Sequence, residues 1–116
     1  VNRSLAGRMA ATVHAGELVL DLGAGTGALT IPLARAGARV VAVEADPVWA
    51  EKLSGRLAGA RLSGTVELVV RDILELSLPS EPYRVVSNPP FGVTTALMRR
   101  LLEPSERGPY RADLLL

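Results

Sequence analysis

Five consecutive residues carry the most specific chemistry in this 116-residue chain: Ser87, Asn88, Pro89, Pro90 and Phe91. The Asn88 side-chain oxygen and the Pro89 carbonyl are two acceptors for the two hydrogens of one planar NH2 group, and the prolines stiffen the loop. Such acceptors localise the nitrogen lone pair, which stabilises the transition state for methylating an amine such as N6 of adenine. Phe91 is placed to stack on a base swung out of its helix. We predict Asn88, Pro89 and Phe91 as catalytic residues.

A glycine-rich turn, DLGAGTG at residues 21–27, lies where a short apolar strand gives way to a helix. Gly23 and Gly25 let the backbone turn tightly and let a ligand approach the main chain. Asp21 is placed to meet a cationic ammonium group, directly or through water, whereas it would repel a pyrophosphate. Read from Gly23 to Ala28, however, the turn also fits the dinucleotide fingerprint.

Two further acidic residues each end a predicted strand. Glu44 follows Gly23 by 21 residues and is placed to accept hydrogen bonds from both hydroxyls of a ribose. Asp72 is placed to accept one from an adenine amino group, with Ile73 against the ring. Each acid alone is also typical of a helix cap or a loop. Acids at three successive strand ends nevertheless favour S-adenosylmethionine, a sulfonium nucleoside with an amino-acid tail, over a nicotinamide dinucleotide.

Apolar runs alternate with helical patterns along the chain, which predicts an α/β fold with a mostly parallel, Rossmann-like sheet and flanking helices. The expected strands cover residues 18–22, 39–44, 66–71, 83–87 and 111–116. The expected helices cover residues 3–15, 28–36, 47–58 and 94–102. Pro32 is an uncomfortable residue for the middle of a helix, although a first turn tolerates it.

The composition excludes several classes of protein. The chain has no cysteine and a single histidine, His14, which argues against disulfides, a thiolate nucleophile, a Ser-His triad and a metal site. Hydrophobic residues make up 48% of the chain, but no apolar run reaches the roughly 18 residues of a membrane helix. No signal peptide is visible, so we expect a cytoplasmic protein without a membrane partner. The net charge of +1 neither favours nor excludes binding to nucleic acid.

Five segments, in this order and spacing, resemble the class I methyltransferases: RSLAGRMAA, DLGAGTGALT, VVAVEADP, RDIL and VVSNPPFGVTTALMRRLL. Within that class they resemble the ribosomal RNA adenine-N6 methyltransferases, which include the macrolide-resistance enzymes and the adenine dimethylases. The resemblance implies a monomer that transfers one or two methyls from S-adenosylmethionine to an adenine of 23S rRNA, with antibiotic resistance as a possible role. It implies cofactor contacts at Gly23, Glu44, Asp72 and Asn88, and base contacts at Asn88, Pro89 and Phe91.

Members of that family usually begin this region with a Gln-x-Phe-Leu segment that closes over the methionine part of the cofactor. They also continue into further strands and a small C-terminal helical domain that is implied to help grip RNA. Neither is found in this sequence. Residues 1–116 are therefore expected to be a truncated S-adenosylmethionine-binding catalytic domain.

Three alternatives remain open from the sequence. DNA adenine methyltransferases and release-factor glutamine methyltransferases also combine Asn-Pro-Pro with an aromatic residue, because both acceptors carry a planar NH2. Arg99 and Arg100 suit phosphate, which favours a nucleic acid, but they are equally typical of an exposed helix face. The other two alternatives are half of a nicotinamide dehydrogenase and a non-catalytic domain that binds RNA or a protein partner.

Overall fold

The computed structural model of the chain describes residues 3–88, 94–102 and 107–115. The elements, in chain order, are α1 (Arg3–Ala11), β1 (Leu18–Leu22), α2 (Thr30–Arg35), β2 (Arg39–Glu44), α3 (Pro47–Gly59), β3 (Val66–Val70), β4 (Arg84–Ser87), α4 (Thr94–Leu102) and β5 (Arg111–Leu114). The strands form one sheet in the order β3-β2-β1-β4-β5, and every neighbouring pair is parallel. This confirms the predicted Rossmann-like architecture.

Helices cover both faces of the sheet. One hydrophobic cluster packs α1, α2 and α3 against the first face, and its helix members include Met9, Leu33 and Leu53. A second cluster packs the opposite face against α4 and the segment after β3, and its members include Ile73 and Leu97. Side chains alternate along β1 between these two clusters, as the pleat of a strand requires. No helix in the described part of the chain has the length and apolar character needed to cross a bilayer.

Several element ends differ from the sequence prediction by a few residues. Helix α1 ends at Ala11, so Val13 lies beyond the helix, although it still packs partly against the first cluster. Helix α2 begins at Thr30, because Gly27 has a φ of +84° and keeps the turn open until that point. Pro32 is therefore the third helical residue, where its missing N–H removes no intrahelical hydrogen bond.

Helix α3 has the start that its sequence predicts. The Asp46 carboxylate accepts a hydrogen bond from the Val48 amide at 2.9 Å, which caps the helix, and Pro47 occupies its first position. The cap directly follows β2, so the turn between Glu44 and Asp46 is short. This turn places the beginning of α3 beside the carboxyl end of the sheet.

Candidate active site

The strand order puts the predicted site residues side by side at one edge of the sheet. Asp72 follows β3, Glu44 ends β2, Gly23 follows β1 and Asn88 follows β4, and these four strands are consecutive neighbours. Adjacent strands lie about 4.8 Å apart, so the row is about 14 Å long. The Arg71 amide donates to the Glu44 carbonyl at 3.2 Å and continues the pairing of β2 with β3 to this edge.

Glu44 is held in place by two backbone amides. Its Oε1 accepts a hydrogen bond from the Gly25 amide at 2.8 Å, and its Oε2 accepts one from the Asp46 amide at 2.9 Å. A carboxylate oxygen can accept more than one hydrogen bond, so both oxygens can still bind a hydroxyl. The half-buried side chain is therefore oriented by the protein itself, as a residue that binds ribose must be.

The glycine-rich loop is anchored on both sides. The amides of Gly23 and Ala24 both donate to the Val43 carbonyl, at 2.8 and 3.0 Å, which folds the loop over the end of β2. On the other side, Arg56 Nη1 of α3 donates to the Thr26 carbonyl at 2.9 Å. These contacts fix the loop backbone against which a ligand would lie.

Gly27 allows α3 to pack closely under this loop. A Cβ atom at Gly27 would lie 2.7 Å from Leu53 Cδ1, and the residue has a φ of +84°. Both the contact and the backbone angle require glycine here.

Asp21 is a buried acid in the middle of the sheet edge. Only 1% of its surface is exposed, and its Oδ2 accepts a hydrogen bond of 2.5 Å from the hydroxyl of Thr30, which is fully buried. Burial raises the pKa of Asp21 to about 6, because it removes the charged form from water; hydrogen bonding from Thr30 lowers the pKa, and the charge of Glu44 raises it. No sequence motif predicted a role for Thr30.

A small cavity of about 130 Å³ opens between the loop and β4, and its lining includes Asp21, Gly23, Gly25 and Asn88. The described lining offers the Asp21 carboxylate, the Thr26 hydroxyl, the Asn88 amide and backbone groups, and no basic side chain. Such a set fits the cationic ammonium end of S-adenosylmethionine and opposes a pyrophosphate. Among the described residues no group of histidine and acidic side chains is arranged to hold a metal ion. A larger cavity of about 600 Å³ lies at the opposite edge, near Leu18, Arg39 and Glu67, and contains none of the predicted site residues.

Asp72 and Ile73 lie at the β3 end of the row. Asp72 is exposed, and its Oδ1 accepts a hydrogen bond from the Leu74 amide at 2.8 Å, so one oxygen stabilises a turn. Ile73 is 7% exposed and packs in the second hydrophobic cluster. From α4, Arg100 donates to the Ile73 carbonyl at 3.0 Å and also to the Leu76 carbonyl. The predicted adenine contacts of Asp72 and Ile73 remain predictions.

Asn88 begins the predicted catalytic loop and is exposed at the mouth of the small cavity. The preceding Ser87 is fully buried, and its hydroxyl donates to the Leu22 carbonyl of β1 at 2.7 Å. This role of Ser87 was not predictable from the motif alone. Pro89 and Phe91 lie outside the described residues, so their contacts with a base remain predictions.

An aromatic residue stands beside the turn that holds Glu44. Trp49, in the first turn of α3, is 40% exposed, and the Lys52 ammonium lies 4.7 Å from its ring centroid. This distance is typical of a cation–π contact.

The sequence model of the family described as "Ribosomal RNA adenine dimethylase" matches residues 9–116 of this chain. The chain belongs to this family. The match includes the glycine loop, Glu44, Asp72 and the segment from Ser87 to Phe91. It confirms the family that the sequence motifs resemble.

Comparisons with individual proteins and with a solved structure agree with this family assignment. The chain is 43% identical over 96 residues to the ribosomal RNA small subunit methyltransferase A of Leifsonia xyli subsp. xyli, covering 80% of this chain and 34% of that protein. It is 40% identical over 84 residues to the rRNA adenine N-6-methyltransferase of Corynebacterium diphtheriae, covering 72% and 32%. It superposes on the crystal structure of the 23S rRNA methyltransferase ErmE with a TM-score of 0.80 and 33% identity, over 98% of this chain and 46% of that one. The chain spans about a third of the length of these two curated relatives.

Proposed function

We propose that this chain is the S-adenosylmethionine-binding catalytic part of an enzyme that methylates the N6 amine of an adenine in ribosomal RNA. The observation that carries the proposal is the row of strand ends, in which Asp72, Glu44, Gly23 and Asn88 follow one another along one edge of the sheet. Membership of the ribosomal RNA adenine dimethylase family supports the same reaction.

The row suggests one orientation for the cofactor. Asp72 would bind the adenine amino group, Glu44 the ribose hydroxyls, and the loop at Gly23 and Gly25 would lie against the middle of the molecule. Asp21 lines the small cavity together with Asn88 and would bind the ammonium group. In this orientation the reacting end lies between β1 and β4, beside Asn88.

When bound, S-adenosylmethionine would supply the methyl group from its sulfonium centre. The bond between sulfur and the methyl carbon breaks, and the sulfur is left as a neutral thioether. The Asn88 oxygen and the Pro89 carbonyl would accept the two N6 hydrogens and localise the nitrogen lone pair toward that methyl. Phe91 would stack on the target base and hold it in place. The proton that the nitrogen loses after methylation passes to water, so no general base is required.

A nicotinamide dinucleotide fits the described site less well. The cavity lined by the glycine loop contains the Asp21 carboxylate and no basic side chain, so a pyrophosphate bound there would meet negative charge. The Gly25 amide donates to Glu44 Oε1, so one backbone N–H that a phosphate-binding loop would offer to its ligand is already occupied.

We further propose 23S rRNA as the substrate, because the match to the ErmE structure extends over 98% of the chain. The relative from Leifsonia xyli is named for the small subunit, so a test must include both ribosomal RNAs. A monomeric, cytoplasmic enzyme and a role in macrolide resistance are parts of the same proposal. DNA adenine and release-factor glutamine methylation are the alternatives on this fold.

Calorimetric titration of the full chain with S-adenosylhomocysteine, with NADH as a control, tests the cofactor. We expect saturable binding of S-adenosylhomocysteine only, at least tenfold weaker in Glu44→Ala and unchanged in Glu51→Ala, an exposed acid on α3. Tight NADH binding would contradict the proposal.

Methyl transfer to 23S rRNA, 16S rRNA, duplex DNA and a release-factor peptide tests the acceptor. We expect methylated adenine in 23S rRNA, and a loss of about 10²- to 10³-fold in Asn88→Ala. Activity that survives this substitution would exclude the proposed mechanism. Methylation of only DNA or the peptide would replace the proposed substrate with one of the alternatives.

A further inference from the structure

Thr30 makes a contact that the proposed reaction leaves unexplained. It is the first residue of α2 and is fully buried, and its hydroxyl donates to Asp21 Oδ2 at 2.5 Å. Gly23, Gly25 and Gly27 all lie between the two residues in the sequence. The hydrogen bond therefore joins the strand before the loop to the helix after it.

The hydroxyl of Thr30 affects which charge state Asp21 adopts. Asp21 is 1% exposed, and Glu44 is the described charged group whose field acts on it. Both burial and that negative charge favour the neutral acid, while hydrogen bonding from Thr30 favours the carboxylate. Arg56 donates to the Thr26 carbonyl, and Asn88, across the cavity, is neutral. Thr30 is thus the described group that opposes protonation of Asp21.

The same hydrogen bond orients the Asp21 carboxylate. A hydroxyl donates a single hydrogen, and here it is directed to Oδ2. Asp21 lines the small cavity, and the backbone of Thr30 also hydrogen-bonds its carboxylate, so Thr30 holds the carboxylate that a cation bound there would meet. Resting on the S-adenosylmethionine site proposed above, we infer that Thr30 is a positioning residue that keeps Asp21 as an oriented anion for the ammonium group of the cofactor.

The test compares two ligands that differ in the amino-acid tail. S-adenosylhomocysteine carries the ammonium group, whereas 5′-methylthioadenosine has the same nucleoside and no tail. Both are titrated calorimetrically into the full chain between pH 5 and pH 8. Thr30→Val should weaken S-adenosylhomocysteine about tenfold at pH 7 and move the midpoint of its pH dependence up by about one unit, with methylthioadenosine unchanged. Thr30→Ser, which keeps the hydroxyl, should restore most of the affinity.

A double variant separates positioning from folding. Because Asp21→Asn removes the charge that Thr30 orients, adding Thr30→Val to Asp21→Asn should weaken S-adenosylhomocysteine no further. If Thr30→Val does not fold, Thr30→Ala is titrated in its place with the same expectations. An equal loss for both ligands would show a purely structural role and overturn the inference, as would an unchanged affinity for S-adenosylhomocysteine. If the unsubstituted protein binds neither ligand, the proposed cofactor itself is wrong, and the inference falls with it.

Discussion

The Ser87 hydroxyl donates to the Leu22 carbonyl at 2.7 Å, so the last residue of β4 is bonded to the last residue of β1. The residue that follows each strand belongs to the candidate site. Gly23 begins the glycine loop, and Asn88 begins the predicted catalytic loop. The backbone of Ser87 is fixed from the other side as well, because its carbonyl accepts from the Leu115 amide at 2.7 Å. A buried hydroxyl therefore adds to the pairing of β1 with β4 in fixing the distance between the glycine loop and Asn88.

Ser87→Ala should lower the methyl-transfer rate more than it lowers cofactor affinity. Removing the hydroxyl leaves the Leu22 carbonyl with one partner fewer and frees Asn88 to shift, which we expect to cost about 1–2 kcal/mol in stability and about tenfold in kcat. Single-turnover kinetics and urea unfolding measure both. Ser54→Ala, at an exposed position on α3, is the matched control and should change neither. A kcat equal to that of the unsubstituted enzyme would show that Ser87 does not position Asn88.

Cofactor affinity should depend on pH through Asp21. With a pKa of about 6, its carboxyl is ionised at pH 7 and mostly neutral at pH 5, while the ammonium of the ligand stays charged over this range. The affinity for S-adenosylhomocysteine should therefore fall about tenfold from pH 7 to pH 5. Calorimetry over this range measures it, and Asp21→Asn should give a flat profile. A profile that is equally steep in that variant would assign the titration to another group.

The stability of the unbound protein should show the opposite trend. Because folding raises the pKa of Asp21 from its ordinary 3.8 to about 6, the folded state binds a proton more tightly than the unfolded state. The stabilisation is present below pH 4 and is lost as the pH rises through 6, an effect on the order of 3 kcal/mol. Urea unfolding of the parent and of Asp21→Asn should therefore show a stability difference that grows from pH 4 to pH 7 in favour of the asparagine variant. A constant difference would contradict this.

Gly27→Ala should destabilise the fold by about 1–3 kcal/mol. The added methyl would lie 2.7 Å from Leu53 Cδ1, on a residue whose φ is +84°. Gly55→Ala is the control, since this helical glycine has open space around its Cβ position and should gain about 0.5–1 kcal/mol from helix propensity. Thermal unfolding measures both, and equal melting temperatures for the two variants would contradict the packing argument.

Adjacent arginines on α4 should affect different properties. Arg100 donates to the carbonyls of Ile73 and Leu76, so Arg100→Ala should destabilise the protein by about 1–3 kcal/mol. Arg99 is exposed, so Arg99→Ala should leave stability unchanged and weaken RNA binding, with a smaller salt dependence. Urea unfolding and RNA titration at two salt concentrations separate the effects. A loss of stability in Arg99→Ala with unchanged RNA binding would reverse the assignment.

Most of the fold follows from local patterns in the sequence. The apolar runs of β1 and β2 and the helical spacing of α4 predict the observed bounds, because strands buried on both faces and amphipathic helices leave clear signatures. The sequence pattern predicts a start of α2 two residues too early, because the residue at which a helix begins after a glycine turn depends on backbone angles. The order of the strands, and therefore the order of Asp72, Glu44, Gly23 and Asn88 along the sheet edge, became known only from the structure.

The acids of the site could be predicted, whereas the residues that hold them could not. Asp21, Glu44 and Asp72 each follow an apolar run, which marks a strand end. Thr30 and Ser87 are small polar residues whose partners, Asp21 and the Leu22 carbonyl, become visible only when the strands and helices are packed together. A polar side chain in a buried position is the one signal that would have singled them out.

Trp49 gives the protein a built-in optical reporter. It is the only tryptophan in the chain, and it follows closely on Asp46, whose amide binds Glu44. Indole emission responds to nearby charge and to water, and this ring is partly exposed with the Lys52 ammonium against it. Binding of a ligand beside Glu44 should therefore change the intrinsic fluorescence of Trp49, with no label needed and with two tyrosines and one phenylalanine as the other aromatic side chains.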